Sequence, residues 1–311
     1  MSEVFAAADL ISRPGIFRSM QPPAVLGVFG NPVDHSLSPG FQTAALQAAN
    51  IAGQYVRLRA EEAEFPLALK ALAAAGFQGA NVTIPYKAAA LAAVDECDDR
   101  ARRSGGVNTV LVDGDRLLGF STDGPGLVRA IHEEFLVDLR DLRVLLLGAG
   151  GGAGRAAAVQ CAEEGCERLV LANRSPEKAF ALAAELAPSF RSDRLVGPGE
   201  RILAIPMDEA SLRSQLPQVD LVINATPLGM RRTDPPPIPP ALLTANLLVF
   251  DMVYSSGKSR LQLAAQAAGA RVAGGLSMLL HQGALSFEIW FNRPAPIEAM
   301  RAALAKDANE L

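Results

Sequence analysis

Residues 143–156 read RVLLLGAGGGAGRA, an apolar run that leads directly into a glycine-rich turn. The run predicts a buried strand, and the alanine-rich segment behind the turn predicts a helix over residues 154–164. Gly148, Gly150 and Ala153 fit the pattern G-x-G-x-x-A. In that pattern the first glycine allows a tight turn, the second lets backbone approach a pyrophosphate, and the small third residue lets helix and strand pack closely. The unpaired N–H groups of the helix N-terminus attract phosphates, so the stretch predicts a dinucleotide-binding unit.

The next strand, RLVLANR at residues 168–174, indicates which dinucleotide fits. An NAD site usually carries Asp or Glu about 20 residues after the glycines, where the carboxylate binds the ribose 2′-hydroxyl. This chain has no acidic residue between Arg168 and Pro176, and Arg174 occupies that place, with Lys178 four residues later. A pair of cations suits a 2′-phosphate; the alternative is two solvated charges at the start of a helix. The sequence favours NADP (NADPH) as the cofactor.

Strands and helices alternate along the whole chain, which predicts an α/β fold with parallel sheets and helices on both faces. Asp113-Gly114 between two apolar runs adds a predicted hairpin. The boundary between two α/β units is expected near Asp123. The first 20 or so residues show weak periodicity and are expected to form a tail or an edge element.

The composition excludes several classes of protein. The 311 residues, half of them apolar, suffice for two domains with large cores, and the net charge of −4 without a basic run argues against a nucleic-acid partner. No apolar stretch reaches transmembrane length, and the acidic N-terminus is unlike a signal peptide, so we expect a cytoplasmic protein with no membrane partner. Three cysteines without zinc spacing and three scattered histidines predict no metal site.

Residues 81–87, NVTIPYK, place three polar side chains at the end of an apolar strand. Pro85 stops the strand, and Asn81, Thr83 and Lys87 lie around that stop. One interpretation is a strand that runs into a helix with a solvated lysine in its first turn. The other is that the strand delivers the three side chains to a cleft edge, because parallel sheets bind ligands at the carboxyl ends of their strands.

Together with the glycine-rich turn, a series of short motifs resembles the shikimate dehydrogenases, which include the quinate/shikimate dehydrogenases. The resemblance extends from about Gly27 to Trp290, and its motifs occur in the family's order. They are GNPVDHSLSP (30–39), GANVTIPYK (79–87), GGVNTV (105–110), STDG (121–124), GAGG (148–151), NRSPEK (173–178), NATPLGM (224–230), DMVY (251–254) and GGLSMLLHQGALSFEIW (274–290).

The resemblance implies an enzyme that reversibly reduces 3-dehydroshikimate to shikimate with NADPH, a step of chorismate and aromatic amino acid biosynthesis. It implies Lys87 as the acid–base group, since an ammonium can both stabilise a developing oxyanion and donate a proton, and Asp123 as the second catalytic residue. The substrate-binding residues that it implies are Ser36 and Ser38 for a carboxylate, with Asn81, Thr83, Asn108, Tyr254 and Gln282. The cofactor-binding residues are Gly148, Gly150, Gly151, Ala153, Asn173, Arg174, Ser175, Lys178, Thr226 and Gly275.

Gln282 follows the nucleotide-binding strands, yet the resemblance groups it with Lys87, so a discontinuous arrangement is expected. Residues 1–122 plus 277–311 are predicted to form an N-terminal α/β substrate-binding catalytic domain to which the C-terminal helices return, and residues 123–276 a Rossmann-like NADP-binding domain. The chain is expected to be a monomer or homodimer that binds a small-molecule substrate.

The chain departs from the family pattern at Gln42-Thr43, where His-Asn is usual, at Ser121, where Asn is usual, and by one extra glycine in the turn. Two alternatives stay open: an NAD-dependent quinate/shikimate dehydrogenase, and a non-catalytic paralogue that binds nucleotide or ring acid. Retention of Lys87 and Asp123 argues against the second.

Overall fold

The computed structural model describes residues 3–190, 200–254 and 257–309. The chain forms two compact units, the first of Met1–Thr122 with Gln282–Leu311 and the second of Asp123–His281. Each unit is α/β, which confirms the predicted fold class. Within the described ranges no helix is both long and apolar enough to cross a membrane.

The first unit contains a seven-stranded sheet in the order β1-β3-β2-β4-β6-β7-β5. Its strands are β1 (Val4–Ala6), β2 (Ala24–Gly30), β3 (Gln54–Arg59), β4 (Gly79–Val82), β5 (Glu96–Cys97), β6 (Thr109–Asp113) and β7 (Arg116–Phe120). All seven residues of β2 are buried, as expected for a strand with helices on both faces. The edge strand β1 pairs in parallel with β3, so part of the N-terminal segment is the edge element that the sequence left open.

This sheet is mixed rather than wholly parallel, because the predicted hairpin adds antiparallel pairing to the parallel strands. β6 is antiparallel to both β4 and β7. The short connection around Gly114 accounts for the β6–β7 pair, because two residues can join only antiparallel strands. The helices before the division between the units are α1 (Asp9–Ser12), α2 (Gly15–Ser19), α3 (Ser38–Ala48), α4 (Phe65–Lys70), α5 (Leu72–Ala75), α6 (Lys87–Ala93) and α7 (Asp99–Ser104).

The second unit contains a six-stranded parallel sheet in the order β10-β9-β8-β11-β12-β13, the doubly wound arrangement that the glycine-rich turn predicts. Its strands are β8 (Arg143–Leu147), β9 (Arg168–Asn173), β10 (Ile202–Pro206), β11 (Leu221–Asn224), β12 (Leu248–Asp251) and β13 (Arg271–Gly274). Its helices are α8 (Asp123–Phe135), α9 (Gly152–Glu164), α10 (Pro176–Leu186), α11 (Glu209–Gln215) and α12 (Arg260–Ala267). β8 lies inside the sheet and its last four residues are fully buried, with apolar clusters on both faces.

Two further helices complete the chain, α13 (Gly275–Phe291) and α14 (Ile297–Ala308). The division between the units falls within α13, before Gln282. In the first unit α14 packs on α3, and the Trp290 indole of α13 donates to the backbone oxygen of Val110 at 2.9 Å. Helix α14 and the part of α13 from Gln282 onward therefore pack within the first unit.

Candidate active site

The segment around Lys87 is held by the buried Tyr86. The Tyr86 ring stacks on Phe65 with 4.6 Å between ring centroids, and its hydroxyl donates to the backbone oxygen of Ala60 at 2.6 Å. The backbone N–H of Tyr86 donates to Thr83. β4 ends at Val82 and α6 begins at Lys87, so this anchor fixes the turn between them.

Lys87 is half-buried, and its backbone carbonyl accepts a hydrogen bond from Val107 at 2.9 Å. The next residue along the chain is Asn108, which directly precedes β6, so the start of β6 is attached to the first turn of α6. Thr83 lies against Gly30, where a Cβ would come within 2.6 Å of the Thr83 methyl group. Lys87, Thr83 and Asn108 therefore occupy one end of the sheet in the first unit.

Asn81 is buried, and both the nitrogen and the oxygen of its side-chain amide form hydrogen bonds within the protein. Its Nδ2 lies 3.0 Å from the Asn108 oxygen, 3.1 Å from Thr109 Oγ1 and 3.0 Å from Ser286 Oγ. Its Oδ1 accepts from the Tyr55 hydroxyl at 2.8 Å. These bonds give Asn81 a structural role in the polar network, while its predicted contact with a substrate stays a prediction.

Asn108 and Gln282 are joined directly. Asn108 Nδ2 donates to Gln282 Oε1 at 3.3 Å and to Thr122 Oγ1 at 2.9 Å, and Asn108 Oδ1 accepts from the Thr122 backbone at 2.8 Å. All three residues are largely buried, so the amides of Asn108 and Gln282 keep defined orientations. Ser286, one turn after Gln282 in α13, donates to the Gln282 backbone oxygen at 3.0 Å.

Ser36 and Ser38 lie where the loop after β2 enters α3. The backbone N–H of Ser38 donates to Ser36 Oγ at 3.3 Å. Burial raises the pKa of the Tyr55 hydroxyl well above its usual range, and a hydrogen bond with the Ser38 side chain opposes that shift. Because Tyr55 also donates to Asn81, one hydrogen-bonded path connects the two serines to the Asn81–Asn108–Gln282 cluster within the first unit.

Asp123 and Tyr254 belong to the second unit. Asp123 is the first residue of α8 and only 8% exposed, and it follows Thr122 directly. Tyr254 follows β12 and is 40% exposed.

The glycine-rich turn has the close contacts that a phosphate site needs. Gly148 has a φ of +83°, and a Cβ there would lie 2.9 Å from the backbone of Ala225 and Thr226. At Gly150 a Cβ would meet the Asn173 amide at 2.7 Å and Lys178 Cβ at 2.8 Å. The glycines leave the backbone of the turn, at the N-terminus of α9, uncovered by side chains of their own. This bare turn fits a pyrophosphate.

The assignment of the close-packing position to Ala153 is wrong. Ala153 is exposed, whereas a Cβ at the buried Gly154 would lie 2.1 Å from the Gly148 oxygen. The extra glycine moves the small residue one position along, and the helix begins at Gly152 rather than at residue 154. Gly151, the other glycine predicted to bind cofactor, is exposed at the start of this helix.

The end of β9 carries the predicted nucleotide-selecting residues. Asn173 Nδ2 donates to the Ser175 oxygen at 3.0 Å, which shapes the turn, and the Lys178 backbone donates to the same oxygen. Lys178 lies against Gly150, and Arg174 is exposed next to Asn173, whose amide also borders Gly150.

Two further predicted cofactor residues lie at the ends of neighbouring strands. Thr226 Oγ1 donates to Asn224 Oδ1 at 2.7 Å, and Asn224 in turn donates to the buried Asp251 at 2.8 Å. Gly275 begins α13, where a Cβ would lie 2.2 Å from the Met252 oxygen. Together with Gly148, they line the carboxyl ends of β8, β11, β12 and β13.

Sequence reasoning missed Tyr55, Arg57 and Ser286, which support the predicted residues. Tyr55 and Arg57 alternate along β3, and both are buried although each carries a polar group. That pattern was a usable signal, because a buried Arg almost always has a specific partner. Ser286 offered no such signal, since it is a small residue within an apolar helix.

Comparison with known proteins gives matches along most of the chain. Residues 28–110 match a family model described as the shikimate dehydrogenase substrate binding domain. Residues 130–228 match shikimate / quinate 5-dehydrogenase, and residues 275–305 match the shikimate 5′-dehydrogenase C-terminal domain.

Curated relatives and solved structures agree with these matches. Shikimate dehydrogenase (NADP(+)) of Methanopyrus kandleri is 38% identical over 90% of this chain and 94% of the relative. The protein of the same name from Moorella thermoacetica is 39% identical over 90% and 92%. The crystal structure of shikimate 5-dehydrogenase from Thermus thermophilus in complex with NADP(H) and shikimate is 34% identical, with a TM-score of 0.79 over 91% of this chain and 99% of that chain.

Proposed function

The chain belongs to the shikimate dehydrogenase family, and from this premise we propose that it is an NADP-dependent oxidoreductase that reversibly reduces 3-dehydroshikimate to shikimate. The relatives named above are shikimate dehydrogenases (NADP(+)), and the Thermus thermophilus structure contains both NADP(H) and shikimate. The reaction implies a place in chorismate and aromatic amino acid biosynthesis.

The first unit is the proposed binding site for the ring acid. A polyhydroxylated ring needs several neutral donors and acceptors in fixed orientations, and Asn108 and Gln282 are joined to each other in such a cluster. Ser36 and Ser38 are the proposed ligands of the substrate carboxylate, supported by their place on one loop and by the hydrogen-bonded path through Tyr55. Thr83 would add a hydroxyl group, and Tyr254, in the second unit, stays a predicted substrate ligand.

Lys87 is the proposed acid–base group. In the reduction direction the carbonyl oxygen gathers negative charge, which a lysine ammonium both stabilises and protonates. In the oxidation direction Lys87 takes the proton back. Asp123 is the proposed second catalytic residue, whose carboxylate would bind a substrate hydroxyl.

The second unit is the proposed NADP-binding domain. When bound, the nicotinamide would supply or accept the hydride. The bare turn at Gly148 and Gly150 would hold the pyrophosphate, and Arg174 with Lys178 would bind the 2′-phosphate. Asn173, Ser175, Thr226 and Gly275 would line the rest of the nucleotide site.

The proposed substrate site rests on one observation. The backbone of Lys87 accepts a hydrogen bond from Val107, which directly precedes Asn108, and the Asn108 amide donates directly to the Gln282 amide. The test is absorbance at the reduced nicotinamide band with shikimate or quinate and with NADP or NAD. Shikimate with NADP should give the highest kcat/KM. A preference for quinate and NAD would favour the first alternative, and no turnover with any pair would favour the non-catalytic one.

A further inference from the structure

We propose that Gln42 is a positioning residue for Gln282, and that it couples the helix that begins at Ser38 to the side chain that contacts the substrate ring. The inference rests on the proposed function, in which Gln282 binds substrate. Gln42 occupies one of the places where the chain departs from the pattern of the family.

Gln42 forms a long-range hydrogen bond between two helices. It is fully buried in α3, and its Nε2 donates to the Gly283 backbone oxygen of α13 at 2.9 Å. Gly283 directly follows Gln282. The bond therefore fixes α13 at the residue next to the proposed substrate contact.

The side chains of Phe41 and Gln42 in α3 pack directly against Gly283 of α13, which has no side chain of its own. A Cβ at Gly283 would lie 2.4 Å from Phe41 Cε2 and 3.2 Å from Gln42 Nε2. Because this contact is so close, the length of the residue 42 side chain and its hydrogen bond set the position of α13 against α3. Interiors this densely packed transmit small displacements to their neighbours.

Both ends of the coupling reach the candidate site. Ser38 and Gln42 are four residues apart in α3 and so share one face of the helix. At the other end Gln282 Oε1 accepts from Asn108 Nδ2 at 3.3 Å, a long hydrogen bond that a small movement of α13 would break. Through α3 and its hydrogen bond to α13, Gln42 thus connects the proposed carboxylate site to the proposed ring site.

The hydrogen bonding of the Gln42 amide does not maximise the stability of the fold. Its Oε1 accepts no hydrogen bond from the residues that the structure describes, although it is buried. An unpaired buried acceptor costs stability, so a residue with one has an explanation other than stability alone. The hydrogen bond that Gln42 Nε2 donates to the Gly283 backbone oxygen supplies that explanation.

The experiment compares Gln42→Leu with Gln47→Leu, an exposed glutamine of the same helix. In Gln42→Leu the lost hydrogen bond and the removed unpaired acceptor have opposite effects on stability, so the midpoint of thermal unfolding should change little. The KM for shikimate should rise about 3- to 10-fold, the scale of one hydrogen bond, with the KM for NADP within about twofold. Gln47→Leu should leave all three quantities unchanged.

Two further variants separate position from stability. Gln42→His retains a ring N–H donor and should recover much of the shikimate KM, whereas Gln42→Met retains length without a donor and should not. If Gln42→Leu fails to fold, the comparison of His with Met decides in its place. Equal KM values for the His and Met variants would overturn the inference.

A double-variant cycle tests the route through Gln282. Gln42→Leu should have little further effect on KM in a Gln282→Ala background, because the side chain that it misplaces is gone. If the two effects on KM multiply, Gln42 does not act through Gln282 and the inference is wrong. If Gln282→Ala alone leaves KM unchanged while the enzyme turns over shikimate, the substrate role of Gln282 fails, and the inference fails with it although the enzyme activity stands.

Discussion

The guanidinium of Arg57 donates a hydrogen bond from Nη2 to the backbone oxygen of Ser36 at 2.6 Å. Arg57 is only 9% exposed, and burial lowers its pKa, while the charges of Asp307 and Asp34 oppose that shift. A charged donor that is largely buried holds its acceptor more strongly than a neutral one. Arg57 therefore fixes the backbone of the loop whose serines are the proposed carboxylate ligands.

We predict that Arg57→Gln raises the KM for shikimate about 10-fold, the scale of one hydrogen bond to a charged group. The kcat should fall much less, because a carboxylate remote from the reacting carbon is bound alike in ground and transition states. Steady-state kinetics with varied shikimate measures both. Arg59→Gln is the matched control, since Arg59 pairs with Asp34 of the same loop but is exposed. Equal effects of the two variants would contradict the prediction.

Local signals explain how much of the fold is predictable from sequence. The glycine turn and the Asp113-Gly114 hairpin each depend on neighbouring residues, and the structure has both where the sequence places them. Helix α11 was missed because it is short and its only clear signal is Asp208, which caps it by accepting from Ser211. Strand β13 was missed because its sequence, RVAG, begins with a charged residue and ends with a glycine, so no apolar run marks it.

The support of the candidate site could not be predicted from sequence, because its contacts join distant residues. Gln42 meets Gly283 across 241 positions, and Asn81 meets Ser286 across 205. No local pattern reports such a pair. The shift from Ala153 to Gly154 has the same cause, since only the packing of α9 on the turn shows which small residue is needed.

A stability prediction concerns Arg143 and Asp220, which form a bidentate pair with distances of 2.9 and 2.6 Å. The hydrogen bonds from the Arg143 side chain lower the pKa of Asp220. The resulting stabilisation is complete above the unfolded-state value, about pH 4, and is lost as the pH falls through the lower native value. Asp220→Asn should reduce the free energy of unfolding by about 1 kcal/mol at pH 7, since the pair is partly exposed.

Denaturant unfolding of the two proteins at pH 7 and at successively lower pH measures this difference. It should shrink below about pH 4. Asp115→Asn, at an exposed hairpin position, should change stability little at any pH. A difference for Asp220→Asn that stays constant down to the lowest pH would show that the charge of Asp220 is not what stabilises the fold.

Cofactor selection is tested at Arg174. Arg174→Ala should weaken NADPH binding by about 1.5–3 kcal/mol, the scale of a charge-assisted hydrogen bond, and leave NADH binding nearly unchanged. Titration of each reduced cofactor by fluorescence gives both dissociation constants. Arg213→Ala, an exposed arginine of the same unit paired with Glu209, should affect neither. Equal losses for NADPH and NADH would mean that Arg174 does not bind the 2′-phosphate.

The decisive prediction concerns Lys87. If Lys87 is the acid–base group, Lys87→Met should lower kcat by about 10²–10⁴, the usual contribution of a positioned proton donor. Substrate binding should suffer less, because Asn108, Gln282 and the loop serines remain. Lys70→Met, at an exposed lysine that ends α4, is the control and should leave turnover near normal.

Asp123→Asn should also lower kcat, because the substrate loses a charged acceptor for one of its hydroxyls. If Lys87 and Asp123 act as one unit, the double variant should be much less impaired than the product of the single effects. Effects that multiply would show two independent roles. A Lys87→Met enzyme that folds normally and turns over shikimate at nearly the original rate would mean that NVTIPYK carries only a solvated lysine at the start of a helix, and that the proton comes from another group.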